Sequence, residues 1–317
     1  MRPITRRLTL AFGLLLSAAA GAQPFGYASG TDPDSPGLRD ALYRVDLATG
    51  ATSRLGYVGF RDIDGLALHP DGSLYGAADG TAEAGGTSDL LARLNTLTGV
   101  GSFLTHFAGL AGQGPGQGGQ LDYGLAVTCD GTLWLSSDTQ GHLWRVDPAT
   151  GALDRVVTGG PPLSGLAARG SYVFGVSVDP DVSLYRYDIA RKELVRVGPI
   201  AVLDRVFDVG LDFDADGRLW ALLDYLVPPD GLPRLAQNDL VEIDPDTARL
   251  ISSKPITGAG SGLNRVQLEG LAVAPPTCAA GGTLPAPVSV SALDGPGRLL
   301  LVLVLALSAG LALRRRA

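Results

Sequence analysis

Five stretches of the chain align with one another without gaps, and nothing else in it narrows the possible architectures so far. They read Leu42-Tyr-Arg-Val-Asp-Leu-Ala-Thr-Gly50, Leu91-Ala-Arg-Leu-Asn-Thr-Leu-Thr-Gly99, Leu143-Trp-Arg-Val-Asp-Pro-Ala-Thr-Gly151, Leu184-Tyr-Arg-Tyr-Asp-Ile-Ala-Arg-Lys192 and Leu240-Val-Glu-Ile-Asp-Pro-Asp-Thr-Ala248. Their starts lie 49, 52, 41 and 56 residues apart. A repeat of that period is one supersecondary unit, too small to bury its own hydrophobic face, so the units must pack against one another.

Each stretch reads as a strand running into a tight turn. Leu-x-Arg-Val-Asp alternates with period two, which gives the strand one apolar face. Asp46, Asp147, Asp188 and Asp244 are placed to accept backbone N–H bonds in Asx-type turns, and the later glycine supplies positive φ. A second signature alternates with the first: Gly65-Leu-Ala-Leu-His-Pro-Asp-Gly72, Gly124-Leu-Ala-Val-Thr-Cys-Asp-Gly131, Gly165-Leu-Ala-Ala-Arg-Gly170, Gly210-Leu-Asp-Phe-Asp-Ala-Asp-Gly217 and Gly270-Leu-Ala-Val-Ala-Pro275. Three of these continue into a Leu–aromatic pair: Leu74-Tyr75, Leu133-Trp134 and Leu219-Trp220. Asp-Gly between apolar strands is a hairpin signal. One unit is therefore two hairpins, four strands in about 50 residues, the sheet-per-repeat pattern of a β-propeller.

The ends of the repeat region complete the pattern. Phe25–Ser29 reads as the second strand of a unit, and the signature at Gly270 supplies only a first strand. Joined, they build one blade from both termini and remove the open sheet edges. Counting each signature once predicts an all-β propeller of five four-stranded blades over residues 23–278; an undetected divergent blade would make six. Forty-four glycines and 21 prolines disfavour long helices, and 45% hydrophobic residues suffice for a core. The repeats resemble bacterial extracellular propellers with a Leu-Tyr-x-Val-Asp-x-x-Thr-Gly motif. The Gly-Leu-Ala-x-x-Pro-Asp-Gly hairpin is similar to that of NHL and gluconolactonase-like propellers. This resemblance spans residues 25–275 and implies architecture, with hardly any information on activity.

The two ends carry different signals. Arg2, Arg6 and Arg7 precede an apolar run from Leu8 to Ala20, and Ala20-Gly21-Ala22 fits the small-residue pattern of signal-peptide cleavage before Gln23. An uncleaved anchor is the alternative. Residues 279–292 read as a Gly/Pro/Ala/Ser linker. Leu299 to Leu313 is uninterrupted and apolar, then come Arg314, Arg315 and Arg316. Such a run spans roughly 22 Å as a helix, slightly short of a bilayer core, and Arg298 can snorkel. The expectation is a transmembrane helix within 298–317, arginines cytoplasmic and the propeller on the periplasmic side; a buried core helix is the alternative. Val290, Leu293 and Gly297, followed by the apolar run and the arginine cluster, resemble the IPTL-type sorting signal handled by exosortase-type enzymes. Ser291 stands where that signal has Pro, and Pro296 where it usually has Trp. The resemblance implies a sorting motif within 279–297, tail processing at the membrane after export by the secretion machinery, and an address in the cell envelope or outside the cell.

Between these ends, residues 23–293 hold 18 basic and 31 acidic residues, a net charge of −13. Such a domain repels phosphate backbones, which disfavours nucleic-acid partners, and it is compatible with cation binding. Cys129 and Cys278 form an even pair, which suggests a disulfide in an oxidising compartment; two unpaired thiols are the alternative.

The chain shows no G-x-S-x-G elbow, HExxH helix or Walker loop. His69, His106 and His142 occupy different repeat positions, so nothing makes them converge. Carboxylates offer more. Asp62, Asp64, Asp122, Asp208 and Glu269 stand just before the Gly-Leu strands, and if those strands are innermost the acids rim the central channel. Alternation gives Asp62, Asp64 and Glu269 one side-chain phase, Asp122 and Asp208 the other. Ring closure puts Asp64 and Glu269 in adjacent blades. Oxygen clusters of this kind bind calcium, and the resemblance to gluconolactonase-like propellers implies a metal at this place; the alternative is acids that cap strands or sit solvated. Asp214 and Asp216 begin like a calcium loop, but Arg218-Leu-Trp lacks the later ligands, which leaves a hairpin turn. Residues 108–120 (Gly/Gln-rich) and 226–238 (Pro-rich) read as loops, either connectors or binding loops. The expected function is an exported, surface-anchored binding module with a glycan or protein ligand. A calcium-dependent hydrolase or lyase acting at the channel mouth is the alternative, and a purely structural envelope component the third.

Overall fold

The computed structural model describes residues 24–31, 40–78, 89–108, 110, 122–178, 180–202, 205–225, 238–258 and 267–278. The expected leader (1–22), the linker and sorting motif with Val290, Leu293 and Gly297, and the apolar tail with Arg314, Arg315 and Arg316 lie outside the described residues. Among the described residues no helix is long and apolar enough to cross a membrane.

The alternating segments fold as the strands they predict. β1 (Phe25–Thr31), β2 (Asp40–Asp46) and β3 (Ala51–Tyr57) form an antiparallel meander. Four-stranded sheets follow: β4 (Ile63–Leu68), β5 (Leu74–Ala78), β6 (Leu90–Leu94) and β7 (Gly101–His106); then β8 (Tyr123–Val127), β9 (Leu133–Ser137), β10 (His142–Val146) and β11 (Leu153–Thr158). The next two are β12 (Gly165–Arg169), β13 (Tyr172–Val176), β14 (Ser183–Asp188) and β15 (Glu193–Pro199), and β16 (Val206–Phe213), β17 (Leu219–Tyr225), β18 (Asn238–Ile243) and β19 (Leu250–Pro255). β20 (Thr257–Gly258) lies parallel to β3, and β21 (Gln267–Ala272) pairs with β1. The inner strands β4, β8, β12, β16 and β21 contact one another in a closed ring, so the molecule is a five-bladed β-propeller.

The first blade is built from both ends of the repeat region, with Tyr27 opposite Ala272, Ala28 opposite Leu271 and Ser29 opposite Gly270. The cores lie between blades. Trp220, Leu222 and Leu240 of the last blade pack with Tyr43, Val45 and Leu47 of the first, so the closing ladder is supported by an apolar seam. The hairpin turns use the aspartates as the repeat predicts. Asp46 Oδ1 accepts the N–H groups of Ala48 (2.8 Å) and Thr49 (3.0 Å), and Asn95, Asp147, Asp188 and Asp244 do the same work in their own turns. Where the fourth and fifth repeats lack the closing glycine, Lys192 (φ 56°) and Ala248 (φ 60°) adopt the left-handed conformation instead, at some steric cost.

Five glycines set the width of the ring. A Cβ on Gly65 would lie 2.9 Å from the Tyr123 carbonyl oxygen; on Gly124, 2.4 Å from that of Ser164; on Gly165, 2.5 Å from that of Val209. On Gly210 it would lie 2.7 Å from the Glu269 oxygen, and on Gly270, 2.8 Å from that of Asp64. Each glycine thus meets the carbonyl of the residue that precedes the next blade's glycine. The inner strands therefore run in one direction, and the residues before the glycines share one level of the channel. The end where these strands begin is called upper below, and the end where they finish, lower.

The lower end is closed by the segment after β21. Val273 N–H donates to Asp212 Oδ2 (2.6 Å), and Ala274 and Pro276 border a small cavity with Leu68 and Val127. Cys278 is disulfide-bonded to Cys129 in the turn between β8 and β9, with Cα atoms 5.7 Å apart. The bond links two blades that are not neighbours in the ring and closes a loop of 149 residues. The chain-entropy account gives a loop of that length about 5 kcal/mol, and loss of a native disulfide costs about 2–5 kcal/mol in practice. Cys278→Ser is therefore expected to lower the melting temperature by roughly 5–15 °C, read by circular dichroism with Cys129→Ser as its match; an unchanged melting temperature would show that the tail contributes nothing to closure.

Candidate cation site at the channel mouth

Asp62, Asp64 and Glu269 come together at the upper mouth of the channel. Each presents one carboxylate oxygen, and these oxygens lie within 4.8 Å of one another. That spacing fits a single ion about 2.4 Å from each ligand, the usual calcium–oxygen distance. Three local devices produce it. Asp62 holds φ at 51°, a left-handed turn tolerated by aspartate. Asp64 is the extra residue of a β-bulge, since Ile63 pairs with Ala78 and Gly65 with Ala77. Glu269 is the extra residue of a second bulge, between Leu268 opposite Gly30 and Gly270 opposite Ser29. Bulges re-aim side chains and recur beside functional sites.

Two equivalent polar staples hold the bulged strands. Ile63 N–H donates to Asp40 Oδ2 at 2.5 Å, and Leu268 N–H donates to Asn238 Oδ1 at 3.2 Å. Asp40 and Asn238 sit two residues before the leucine of their repeats, and each reaches the inner strand of the next blade. Asp64 Oδ2 accepts the N–H of Tyr123 (3.2 Å). The remaining oxygens are another matter: Asp64 Oδ1 and Glu269 Oε2 are buried and accept no hydrogen bond, in residues only 2% and 6% exposed. A buried carboxylate oxygen without a partner is costly, and a cation is the partner that would satisfy both at once.

The electrostatics say the same. Burial raises the Asp64 carboxyl well above its ordinary range, and the charges of Asp62, Asp122, Glu269 and Asp208 raise it further. Burial likewise raises Glu269, reinforced by Asp208, Asp40, Asp62 and Asp122. Across the mouth, burial pushes Asp208 up to about 7, against the pull of the Ser164 hydroxyl, which donates to Asp208 Oδ1, and of the Val209 N–H. Burial holds Asp138, beside Asp122, at about 6. Like charges confined in a low-dielectric site cannot all ionise without a counter-charge. The donors are all oxygens, which suits a hard cation such as calcium better than a thiolate- or imidazole-seeking metal.

Asp122 and Asp208 contribute to this field from the other blades. The histidines stay apart: His69 pairs with Asp71 at a lower turn, His106 stacks near Phe103 on an outer strand and His142 near Trp144. Asp214 is a turn residue, accepting from Asp216 N–H (3.0 Å), Arg218 Nε (2.7 Å) and Trp220 Nε1 (2.9 Å). Sequence reasoning missed Asp40, Asn238, Ser164 and Asp138. For the first two a signal was available, since extending the repeat two residues upstream finds Asp40, Asp89 and Asn238 in three of five units.

No protein-family profile and no curated protein matches the chain. Solved structures resemble its arrangement of sheets. TolB from Acinetobacter baumannii superposes with a TM-score of 0.44 at 18% identity, over 80% of this chain and 55% of that one. A protein of unknown function from Bacteroides caccae gives 0.47 at 13% identity over 78% and 98%. A chain of the nidogen/laminin complex gives 0.47 at 10% over 80% and 100%. The chain spans about half the length of TolB. The class of the protein, a five-bladed propeller closed by its own two ends, rests on strand order and register.

Proposed function

We propose that the chain is a binding propeller whose upper face is its ligand-facing end, ordered by a calcium ion on Asp62, Asp64 and Glu269. The observation that carries this reading is the pair of buried, unpartnered carboxylate oxygens on Asp64 and Glu269, two of the three residues whose carboxylates gather within 4.8 Å of one another. The ion would supply positive charge at the mouth of an otherwise acidic domain, and open coordination positions for hydroxyl or carboxylate groups of a glycan or protein ligand. β5 and β17 end, and β6, β8, β18 and β21 begin, at this same upper face, and such strand ends carry binding function in scaffolded folds. Export through the leader, anchoring by the apolar tail and processing by an exosortase-type enzyme belong to the same reading and place the propeller in the cell envelope. A glycan array and a pull-down from envelope extract, each run with calcium and with chelator, test it. Calcium-dependent retention of a ligand is expected. Turnover of a lactone or glycan substrate, lost in Asp208→Asn, would instead favour a hydrolase or lyase using the raised Asp208 carboxyl.

A further inference from the structure

A cavity of about 200 Å³ opens on the upper face between the third and fourth blades. Its wall is mostly apolar. Pro161 and Pro162 lead into β12, Val178 and Pro180 lie between β13 and β14, and Tyr185 stands on β14. Asp138, just after β9, and Ser177 and Asp181 supply the polar part. The volume is several times a water's share of about 30 Å³ and falls short of the roughly 300–1,000 Å³ of sites for drug-sized ligands. It suits one side chain or a small molecule.

This wall is poor in hydrogen-bond donors. Its three prolines have no N–H. The Asp138 N–H donates to the Asp122 carbonyl and the Ser177 N–H to the Ser183 carbonyl, each at 3.1 Å. The Ser177 hydroxyl donates to the Asp181 carbonyl (2.5 Å). The two acids differ in their surroundings. Asp181 Oδ1 accepts from the Ser183 hydroxyl and from Arg196 Nη2, each at 2.8 Å, so its charge is compensated. Asp138 bonds with the neighbouring Asp122 carboxyl, but its Oδ1 is buried and, among the described residues, accepts no hydrogen bond. No lysine or arginine among the described residues lines the cavity.

We propose that this cavity is a subsite for a primary alkylammonium group, its methylene stem against the prolines and Tyr185 and its ammonium on Asp138 Oδ1. An ammonium has three donors and no acceptor, which matches a wall with a vacant acceptor and few free donors. A sugar hydroxyl or an amide also brings an acceptor, which such a wall leaves unsatisfied at a cost. A guanidinium seeks two carboxylate oxygens at once, and Asp138 offers one. The Tyr185 ring adds a cation–π attraction, and the net charge of −13 over residues 23–293 draws cations to the domain. A lysine side chain of a protein partner and a free diamine both carry this chemistry. The subsite shares the upper face with the proposed calcium site but does not use the ion, so the two readings fail separately.

Saturation-transfer NMR on the full chain, run in chelator, tests the proposal with Nα-acetyl-lysine N-methylamide and with diaminopentane at millimolar concentration. Binding is expected, with the strongest transfer to the methylenes of the stem, and the tighter of the two probes tells a protein side chain from a free amine as the source. The matching norleucine derivative, which has the same stem and no charge, and the arginine derivative are expected to bind at least tenfold more weakly. Asp138→Asn is expected to weaken amine binding at least tenfold without lowering the melting temperature, and Tyr185→Leu to weaken it about threefold. Failure of both amines to bind, equal binding of the norleucine or arginine derivative, or binding that survives Asp138→Asn overturns the proposal.

Discussion

Glu269→Gln is expected to raise the melting temperature of the propeller in chelator and to abolish its response to calcium. The two effects have opposite signs and one cause. Without a cation, the buried carboxyls at the mouth repel one another, and Asp64 Oδ1 and Glu269 Oε2 accept no hydrogen bond; a neutral amide removes one of the charges. With calcium bound at about 100 times its dissociation constant, the wild-type chain gains about 2.7 kcal/mol, roughly 5–10 °C for a domain of this size. Because Asp62 and Asp64 lie at the start of the second blade and Glu269 on the closing strand of the first, the ion would clamp the ring at its seam. The pH dependence follows from the same groups. Asp208 and Asp138 have folded pKa values of about 7 and about 6, above the ordinary carboxyl value of about 3.9. The folded state thus holds protons that the unfolded chain releases, and the stability associated with them is complete below about pH 4 and lost as pH rises through 6 and 7. The turn aspartates act oppositely. Asp147, Asp188 and Asp244 are lowered, chiefly by hydrogen bonds from side-chain and backbone donors of their turns, and their contribution disappears in acid. In chelator the melting temperature should therefore peak near pH 5 and fall by about 5 °C or more towards pH 8, and calcium should reverse the fall. Calorimetric melts across pH, with and without calcium, measure both; a flat profile in chelator or an intact calcium shift in Glu269→Gln would remove the cation site.

The second large effect concerns the ring itself. Gly124→Ala is expected to cost about 3 kcal/mol or more and to reduce the yield of folded protein. Its Cβ would fall 2.4 Å from the Ser164 carbonyl oxygen, 2.5 Å from Ser136 Oγ and 2.9 Å from Leu166 Cγ. The nearest of these is backbone of the neighbouring inner strand and cannot rotate away, so relief requires widening the ring. Gly72→Ala is the control. It sits at φ 85° with nothing within 4 Å of its Cβ, so it bears only the left-handed penalty, about 1–2 kcal/mol. Urea denaturation of the two variants separates steric from conformational cost. Equal losses would mean that the inner strands do not limit the width of the channel.

Much of this fold is local in origin and so legible in the residues. Leu-x-Arg-Val-Asp alternates because a strand has period two, and Asp46 folds its turn through hydrogen bonds to residues two and three positions away. Even the closure between Phe25–Ser29 and the Gly270 strand follows from counting half-units at the two ends. The set Asp62, Asp64 and Glu269 was reachable by strand phase and ring order. How those acids meet was not, because it depends on two β-bulges and one left-handed residue, and a bulge is a property of paired strands that neither strand announces alone. Asp40 and Asn238 look like strand-initiating polar residues until the adjacent blade places Ile63 and Leu268 beneath them. The glycine before each Gly-Leu pair is visible in every repeat. Its purpose appears only when five carbonyls from neighbouring strands crowd the space where a side chain would stand. Sequence by itself determined what repeats and what alternates, since those arise from interactions a few residues apart. Tertiary structure alone decided which oxygens share a buried site, since that depends on distances between segments the chain does not connect directly.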